Sequence, residues 1–141
     1  MRTIYLLFIT VLLGSTLSCE KRRNNNTAEQ LDGSWEVQSV NNAEGEVDPS
    51  EAPQGVTLFA CTVSDGPCEG VWIANNGDTR DFEWTVTERG NVFSILPLET
   101  SAISNEADYD IEIYKGEYTI NEIGVVQFIV QKGETELVLK K

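Results

Sequence analysis

Histidine is absent from the 141 residues of this chain. The absence removes the side chain that most often serves as a general base near neutral pH, activates a serine or cysteine nucleophile, or binds a transition metal. A Walker loop, a dinucleotide-binding glycine pattern and a Gly-x-Ser-x-Gly elbow are missing as well. We therefore expect no enzymatic activity, no catalytic residues, no cofactor and no metal site.

Basic residues are scarce over most of the chain. From Leu31 onward six basic residues stand against twenty-one acidic ones, and the whole chain has a formal net charge of −13. A domain with this balance repels phosphate backbones and anionic lipid surfaces, which argues against nucleic acid as a partner. We interpret the acidic residues as a solvated surface that keeps the protein soluble, in preference to a cation-binding function.

No apolar run after the N-terminus approaches the length of a membrane-spanning helix. The N-terminal run Ile4–Leu13 has ten residues, follows a short positive start at Met1-Arg2-Thr3 and precedes small residues, as in a secretory signal. The segment Ser15-Thr16-Leu17-Ser18-Cys19 resembles the lipobox of Bacteroidetes-type lipoproteins, although Thr16 replaces the common Leu. The resemblance implies a signal peptide at residues 1–18, cleavage before Cys19 and acylation of Cys19. The alternative is an ordinary secretory signal with a stray cysteine.

Residues 19–30 follow as a polar segment without apolar periodicity, for which we expect a disordered tether. Its basic cluster Lys21-Arg22-Arg23 would lie beside the membrane, where it can contact anionic head groups. Known surface-export signals of such lipoproteins are acidic after the cysteine, and this cluster departs from them. We therefore expect an outer-membrane protein anchored by lipid and facing the periplasm.

The other two cysteines, Cys61 and Cys68, flank the turn-forming residues Ser64-Asp65-Gly66-Pro67. Two strands joined by this turn would bring the sulfur atoms opposite each other across a hairpin. In an oxidising compartment we expect a structural disulfide that contributes roughly 2.5 kcal/mol in the chain-entropy model. A redox pair is the alternative, but the spacing is not Cys-x-x-Cys.

Residues 31–141 read as one all-β domain, because apolar residues recur at period two and no helical spacing holds for ten residues. The predicted strands alternate clearly around Trp35, Phe82 to Val86, Phe128 and Leu137. We also predict a strand at Tyr109 to Tyr114, with Asp110 and Glu112 on its solvated face, as Asp81 and Glu83 are on theirs. Residues 41–54 form a long polar loop, either a functional lid or a flexible connection. Eight or nine antiparallel strands in meander order predict an up-and-down barrel, which leaves no free edge.

The motif Gly33-Ser34-Trp35 resembles the Gly-x-Trp signature that opens the first strand of lipocalins. The span from Leu31 to Lys141 is similar to the small lipocalin-like domains of bacterial lipoproteins. The similarity rests on the Phe59-x-Cys61 strand, the Cys68-x-Gly70 start, Phe82-Glu83-Trp84 and the closing strand Glu136-Leu137-Val138-Leu139-Lys140. Asp108-Tyr109 is a partial match to the Thr-Asp-Tyr box of larger lipocalins. The resemblance implies a basic residue packed over Trp35, for which Lys140 and Lys132 are the candidates.

A lipocalin-like fold implies a cup for one small hydrophobic molecule, and Trp35, Phe82, Trp84 and Phe128 are the candidate pocket residues. The same aromatic side chains could instead fill a barrel of this size. The sequence therefore leaves two functions open. One is an outer-membrane-tethered protein that binds a small hydrophobic molecule or serves as an envelope accessory module. The other is a filled barrel that contacts an envelope protein partner without any ligand.

Overall fold

A computed structural model describes residues 18–97 and 103–141 of the chain. Residues 1–17 of the expected signal peptide and residues 98–102 lie outside the described residues. The strands are β1 (Gly33–Asn42), β2 (Gly45–Glu46), β3 (Gly55–Leu58), β4 (Cys68–Ile73), β5 (Thr79–Thr87), β6 (Val92–Pro97), β7 (Gly116–Ile123), β8 (Gln127–Lys132) and β9 (Thr135–Lys140). The helices are α1, described over residues 18–31, a 3-10 turn at Glu88–Gly90, and α2 (Glu106–Tyr114).

Eight of the strands close into an antiparallel barrel, and β2 adds a short ninth strand. The order is a meander from β3 to β9, with β1 pairing with β3 on one side and with β9 on the other. This confirms the predicted lipocalin-like barrel. Among the described strands, closure leaves only the short strand β2 outside the ring of pairings, so little free edge remains there for another chain to extend.

Strand β5 shows how the period-two pattern fills the interior. Phe82, Trp84 and Val86 are buried on one face, as predicted, and Arg80 lies buried on the same face. In β1 the alternation is interrupted by a register shift between Val37 and Ser39. The shift places Val40, rather than Ser39, on the buried side opposite Leu137.

The expected disulfide is present. Cys61 and Cys68 are bonded with their Cα atoms 5.4 Å apart, which confirms the pairing. The strand expected at Phe59-x-Cys61 is not formed, however. β3 ends at Leu58, so Cys61 lies in a loop and only Cys68 belongs to a strand.

Helix α2 replaces the strand predicted at Tyr109 to Tyr114, and that prediction was wrong. Asn105 caps the helix, since its side-chain oxygen accepts a hydrogen bond from the Asp108 backbone N–H at 2.9 Å. The buried apolar residues are Ala107, Ile111 and Tyr114, spaced as one face of a helix. Tyr109 is mostly exposed, so the apparent alternation did not reflect which residues are buried.

Helix α1 occupies the segment for which a disordered tether was expected, so residues 20–30 are ordered and helical. Ala28 and Leu31 are fully buried in the core. The Asn24 side-chain oxygen accepts a hydrogen bond from the Gly90 backbone N–H at 2.8 Å, and Thr27 lies so close to Gly90 that no side chain fits there. Contacts with residues more than sixty positions away along the chain stabilise this helix, because its own amino-acid composition would not make it stable in isolation.

We predict that Ala28→Asp lowers the free energy of unfolding by about 3–5 kcal/mol, because it places an unpaired carboxylate in the core. Chemical denaturation of residues 19–141 measures the change. The matched variant Asn26→Asp adds the same charge at an exposed position of α1, where we expect a change within about 0.5 kcal/mol. Equal, small effects of both substitutions would mean that α1 does not pack on the barrel.

Candidate functional site

The four predicted pocket residues lie in a packed aromatic core. The rings of Trp35, Phe128, Phe93 and Trp84 contact each other in series, with centroids 5.7, 5.6 and 5.9 Å apart. Phe82 packs edge-on against Trp72 at 6.4 Å. Each of the four predicted residues exposes at most 2% of its surface. Of the four, Trp35 alone also borders an open groove beside β1. They therefore fill the interior in this conformation, and their role as ligand contacts stays a prediction.

Trp35 is fixed at the barrel end that α1 covers. Its indole N–H donates a hydrogen bond to the Leu31 carbonyl at 2.8 Å. The amino group of Lys141 lies 4.5 Å from the Trp35 ring centroid and donates to the Asp32 carbonyl at 2.6 Å. Neither predicted candidate, Lys140 nor Lys132, is the basic residue over Trp35. Gly33 enters the strand with φ of 115°, a conformation that favours glycine.

Lys132 packs at the other end of the barrel. Its amino group lies 5.2 Å from the Tyr118 ring centroid and donates hydrogen bonds to the carbonyls of Ile113 and Lys115 at 3.1 and 2.8 Å. It therefore fastens the end of α2 to the barrel wall. Burial lowers the pKa of Lys132 from its ordinary value.

A buried ion pair holds the beginning of α2 over this end. Arg80, on β5, pairs with Asp108, and both side chains are buried. The Ser104 hydroxyl and backbone N–H also donate to Asp108, at 2.7 and 2.9 Å. The Ser104 hydrogen bonds, followed by the Arg80 charge, hold the pKa of Asp108 at about 2 against the opposing effect of burial. Neither residue of this pair was predicted from the sequence to be a charge inside the fold.

Asp110 is also buried, which corrects its placement on a solvated face. Burial, together with the nearby Glu106 charge, raises the pKa of Asp110 above its ordinary value, although a backbone hydrogen bond from Asn75 opposes the shift. Within the described residues, Asp110 Oδ2 and the indole nitrogen of Trp72 are buried without a hydrogen-bond partner. Helix α2, which covers this end, therefore carries two buried carboxylates of opposite character. The ionised form of Asp108 is stabilised in the folded protein, and the ionised form of Asp110 is disfavoured.

An open groove of about 670 Å³ lies where β1 parts from β3, and we call it the β1 groove. One wall is β1 between Ser34 and Val40, and the other is the loop at residues 47–54. Val37 N–H donates to the Gln54 carbonyl at 2.9 Å and Val47 N–H to the Val40 carbonyl at 2.8 Å, so the loop rejoins β1 at both ends of the gap. Apolar and polar side chains line it together, among them Val37, Val47, Pro53, Glu36, Gln38 and Lys140.

The loop wall of the β1 groove is held by further hydrogen bonds. The Asn75 side chain donates to the Ser50 carbonyl at 2.7 Å, and the Gln54 side chain donates to the Asn75 carbonyl at 2.7 Å. The groove is therefore formed before any ligand arrives, as most small-molecule sites are. The sequence marked this loop only by its length. The approach of this loop to β1 depends on the register shift within β1, which is a β-bulge that no sequence motif predicted.

No cluster of three or more Cys, Asp or Glu side chains is arranged to hold a metal ion in residues 18–97 and 103–141. Over the same residues, none of the helices is both long and apolar enough to cross a membrane.

Among solved structures, the chain is similar to a lipocalin-like protein from Bacteroides uniformis, with 17% identity and a TM-score of 0.53. The match covers 79% of this chain and 98% of that protein. An uncharacterized protein from Bacteroides eggerthii matches at 12% identity and a TM-score of 0.46, over 78% of this chain and 98% of that one. No family model matches the chain, and neither does any curated protein. At this identity the first structure supports the lipocalin-like fold alone.

We predict opposite pH effects from two isosteric substitutions in α2. The folded pKa of Asp108 lies below its unfolded value of about 3.9, so its stabilising effect is complete above that pH and is lost as the pH falls towards about 2. Asp108→Asn should therefore lower the melting temperature at pH 7, and by less as the solution is acidified. The pKa of Asp110 is raised instead, so its ionised form is disfavoured in the folded state. Asp110→Asn should raise the melting temperature at pH 7, and the gain should shrink as the wild-type carboxyl protonates.

Thermal unfolding of both variants from pH 7 down to pH 3 checks these signs. The wild-type protein at each pH is the reference, and the two variants control for each other because they make the same chemical change two residues apart. A parallel pH dependence of the two variants would contradict the assignment.

Proposed function

We propose that this chain is a non-enzymatic, lipid-anchored, lipocalin-like protein of the bacterial outer membrane, facing the periplasm, that binds a small hydrophobic or amphipathic molecule in the β1 groove. The groove itself is the observation that carries the ligand part. Its volume of about 670 Å³ falls in the range of small-molecule sites. Its apolar wall residues Val37, Val47 and Pro53 suit a hydrocarbon body, while Gln38 and Lys140 suit a polar group.

The site differs from a lipocalin cup in its position. Phe82, Trp84 and Phe128 pack against neighbouring rings inside the barrel and do not line the β1 groove, whereas Trp35 does. The proposed ligand therefore lies between β1 and the loop at residues 47–54, at the edge of the aromatic core. Eight strands give an interior that side chains can fill completely. The preformed loop wall supports this placement, because binding then needs no repacking of the core.

The anchor is proposed from the signal-like N-terminus and the lipobox-like segment ending at Cys19. Cys19 is exposed and unpaired in the structure, whereas Cys61 and Cys68 are bonded to each other. An exposed position at the start of α1 leaves its sulfur accessible for acylation. Several acyl chains on one residue would give stable membrane attachment.

We expect Cys19→Ala to release the protein from the membrane fraction when the full chain is expressed in a bacterium that processes lipoproteins. Mass spectrometry of the wild-type protein should show acyl chains on residue 19 as the N-terminus. Cys61→Ala combined with Cys68→Ala is the control, since it removes two cysteines without touching the anchor. Membrane attachment that persists in the Cys19→Ala protein would exclude lipidation as the anchor.

For the ligand, we expect Ser39→Trp to weaken binding of the neutral fluorescent probe N-phenyl-1-naphthylamine by about tenfold or more. Ser39 lines the β1 groove and is half-buried, so an indole there fills space without removing a core side chain. Thr85→Trp, half-buried on β5 away from the groove, is the matched control and should bind as the wild type does. Fluorescence titration measures both affinities, and equal affinities would remove the groove as the site.

A second candidate function is contact with an envelope protein through α2. Tyr109 and Ile113 are 57% and 48% exposed and lie four residues apart on the outer face of the helix. Side chains at this spacing form one continuous apolar strip, as helices that dock into partner grooves do. Gentle purification of the protein from its native envelope, followed by mass spectrometry, separates the two candidates. A bound small molecule supports the first, and a stoichiometric protein partner supports the second.

A further inference from the structure

We infer that one end of the barrel lies flat against the membrane and that the turn residues Val125 and Val126 enter the head-group region. This surface, which we call the α1 end, comprises residues 18–32, 59–67, 88–91, 123–126 and 141. The inference rests on the proposed lipid anchor, but it concerns a different property, namely which face of the domain meets the bilayer.

The first step is the rigid docking of α1. Asn24 binds the turn before β6 through Gly90, and the Asn25 side-chain oxygen accepts a hydrogen bond from the Ser64 N–H at 3.2 Å. Ala28 and Leu31 are buried in the core. Cys19 precedes Asn24 by five residues in the same helix, a rise of roughly 7–8 Å. A flexible tether of twelve residues would instead let the domain move roughly 20 Å from its anchor and face any direction.

The second step is an exposed apolar tip at the same end. Val125 and Val126, in the turn between β7 and β8, are 88% and 62% exposed, the two highest values among the large apolar side chains described as exposed. Val125 and Gly124 border a crevice together with Gln30 and Lys141, which places the tip beside the last turn of α1. Cys19 and Gln30 are separated by a helix rise of roughly 16 Å. The acyl chains and the tip would therefore meet the bilayer at two separate points, which restricts the tilt of the domain along the direction of α1.

The third step is charge. The α1 end carries five basic residues, Lys21, Arg22, Arg23, Arg89 and Lys141, against five acidic ones, Glu20, Glu29, Asp32, Asp65 and Glu88. The rest of the described chain carries four basic and seventeen acidic residues. An anionic leaflet repels that remainder and tolerates the balanced end. Lys21, Arg22 and Arg23 are exposed next to Cys19, where they can contact lipid phosphates.

Paramagnetic broadening in nanodiscs tests the orientation. The isotope-labelled chain 19–141, with its disulfide oxidised, is coupled through the Cys19 thiol to a maleimide lipid in discs of phosphatidylcholine and phosphatidylglycerol that carry a gadolinium-chelating lipid. We expect the amide signals of Gly124 to Val126 to be lost by broadening. Signals of Asn76 to Asp78 and of Gly133, in turns at the opposite end, should keep their intensity. Equal broadening at the two ends, or stronger broadening at the opposite one, would overturn the inference.

A pair of double variants separates the apolar tip from the anchor. Val125→Asp with Val126→Asp should restore the signal of Gly124, since charged side chains leave the head-group region. Tyr109→Asp with Ile113→Asp makes the same change on the exposed face of α2 and should leave the broadening pattern unaltered. If the tip variant broadens as the wild type does, the tip does not enter the bilayer. Because the lipid is attached chemically, the outcome does not depend on native acylation, which the Cys19→Ala experiment tests separately.

Discussion

Closure of the sheet between β1 and β9 is the constraint on which the other features of this protein depend. The pairing sets Val37 opposite Leu139 and Val40 opposite Leu137, and only the bulge between Val37 and Ser39 allows both valines to face the core. Beyond Glu36, β1 no longer pairs with β3, and the loop at residues 47–54 spans the gap. The same register that removes the free edge of the sheet thus creates the β1 groove.

A closed barrel of eight strands leaves little interior volume, and here aromatic rings occupy it. One continuous series of packed rings is formed by Trp35, Phe128, Phe93 and Trp84. The first role of these side chains is therefore to stabilise the core. The proposed binding surfaces lie outside this aromatic series. The β1 groove, the exposed strip on α2 and the α1 end are three such surfaces, and they differ in polarity and in position.

The strands were predictable because their burial has period two, as in β5, where Phe82, Trp84 and Val86 alternate with exposed or half-buried residues. Helix α2 was not predictable from the sequence. Tyr109 and Ile113 take part in an alternation that is typical of a strand, whereas the buried residues Ala107, Ile111 and Tyr114 have helical spacing. Helix α1 was missed because only Ala28 and Leu31 mark its buried face, and its remaining contacts are made with residues distant in sequence.

The basic residue over Trp35 is Lys141 and not its neighbour Lys140, since adjacent residues point to opposite faces at the end of a strand. The groove has no local signature, because loop and bulge create it together.

The two covered ends of the barrel are built from different interactions. Neutral amides and buried alkyl groups hold α1, through Asn24, Asn25 and Ala28, so its attachment does not depend on ionisation. Helix α2 is held through Asp108 and carries the disfavoured carboxylate of Asp110, so its attachment responds to pH. Acidification first relieves the cost of ionising Asp110 and weakens the Asp108 attachment only as the pH falls towards about 2, whereas the contacts that hold α1 do not titrate. A protein anchored through α1 would therefore keep its orientation on the membrane while the charges at its outer end change with pH.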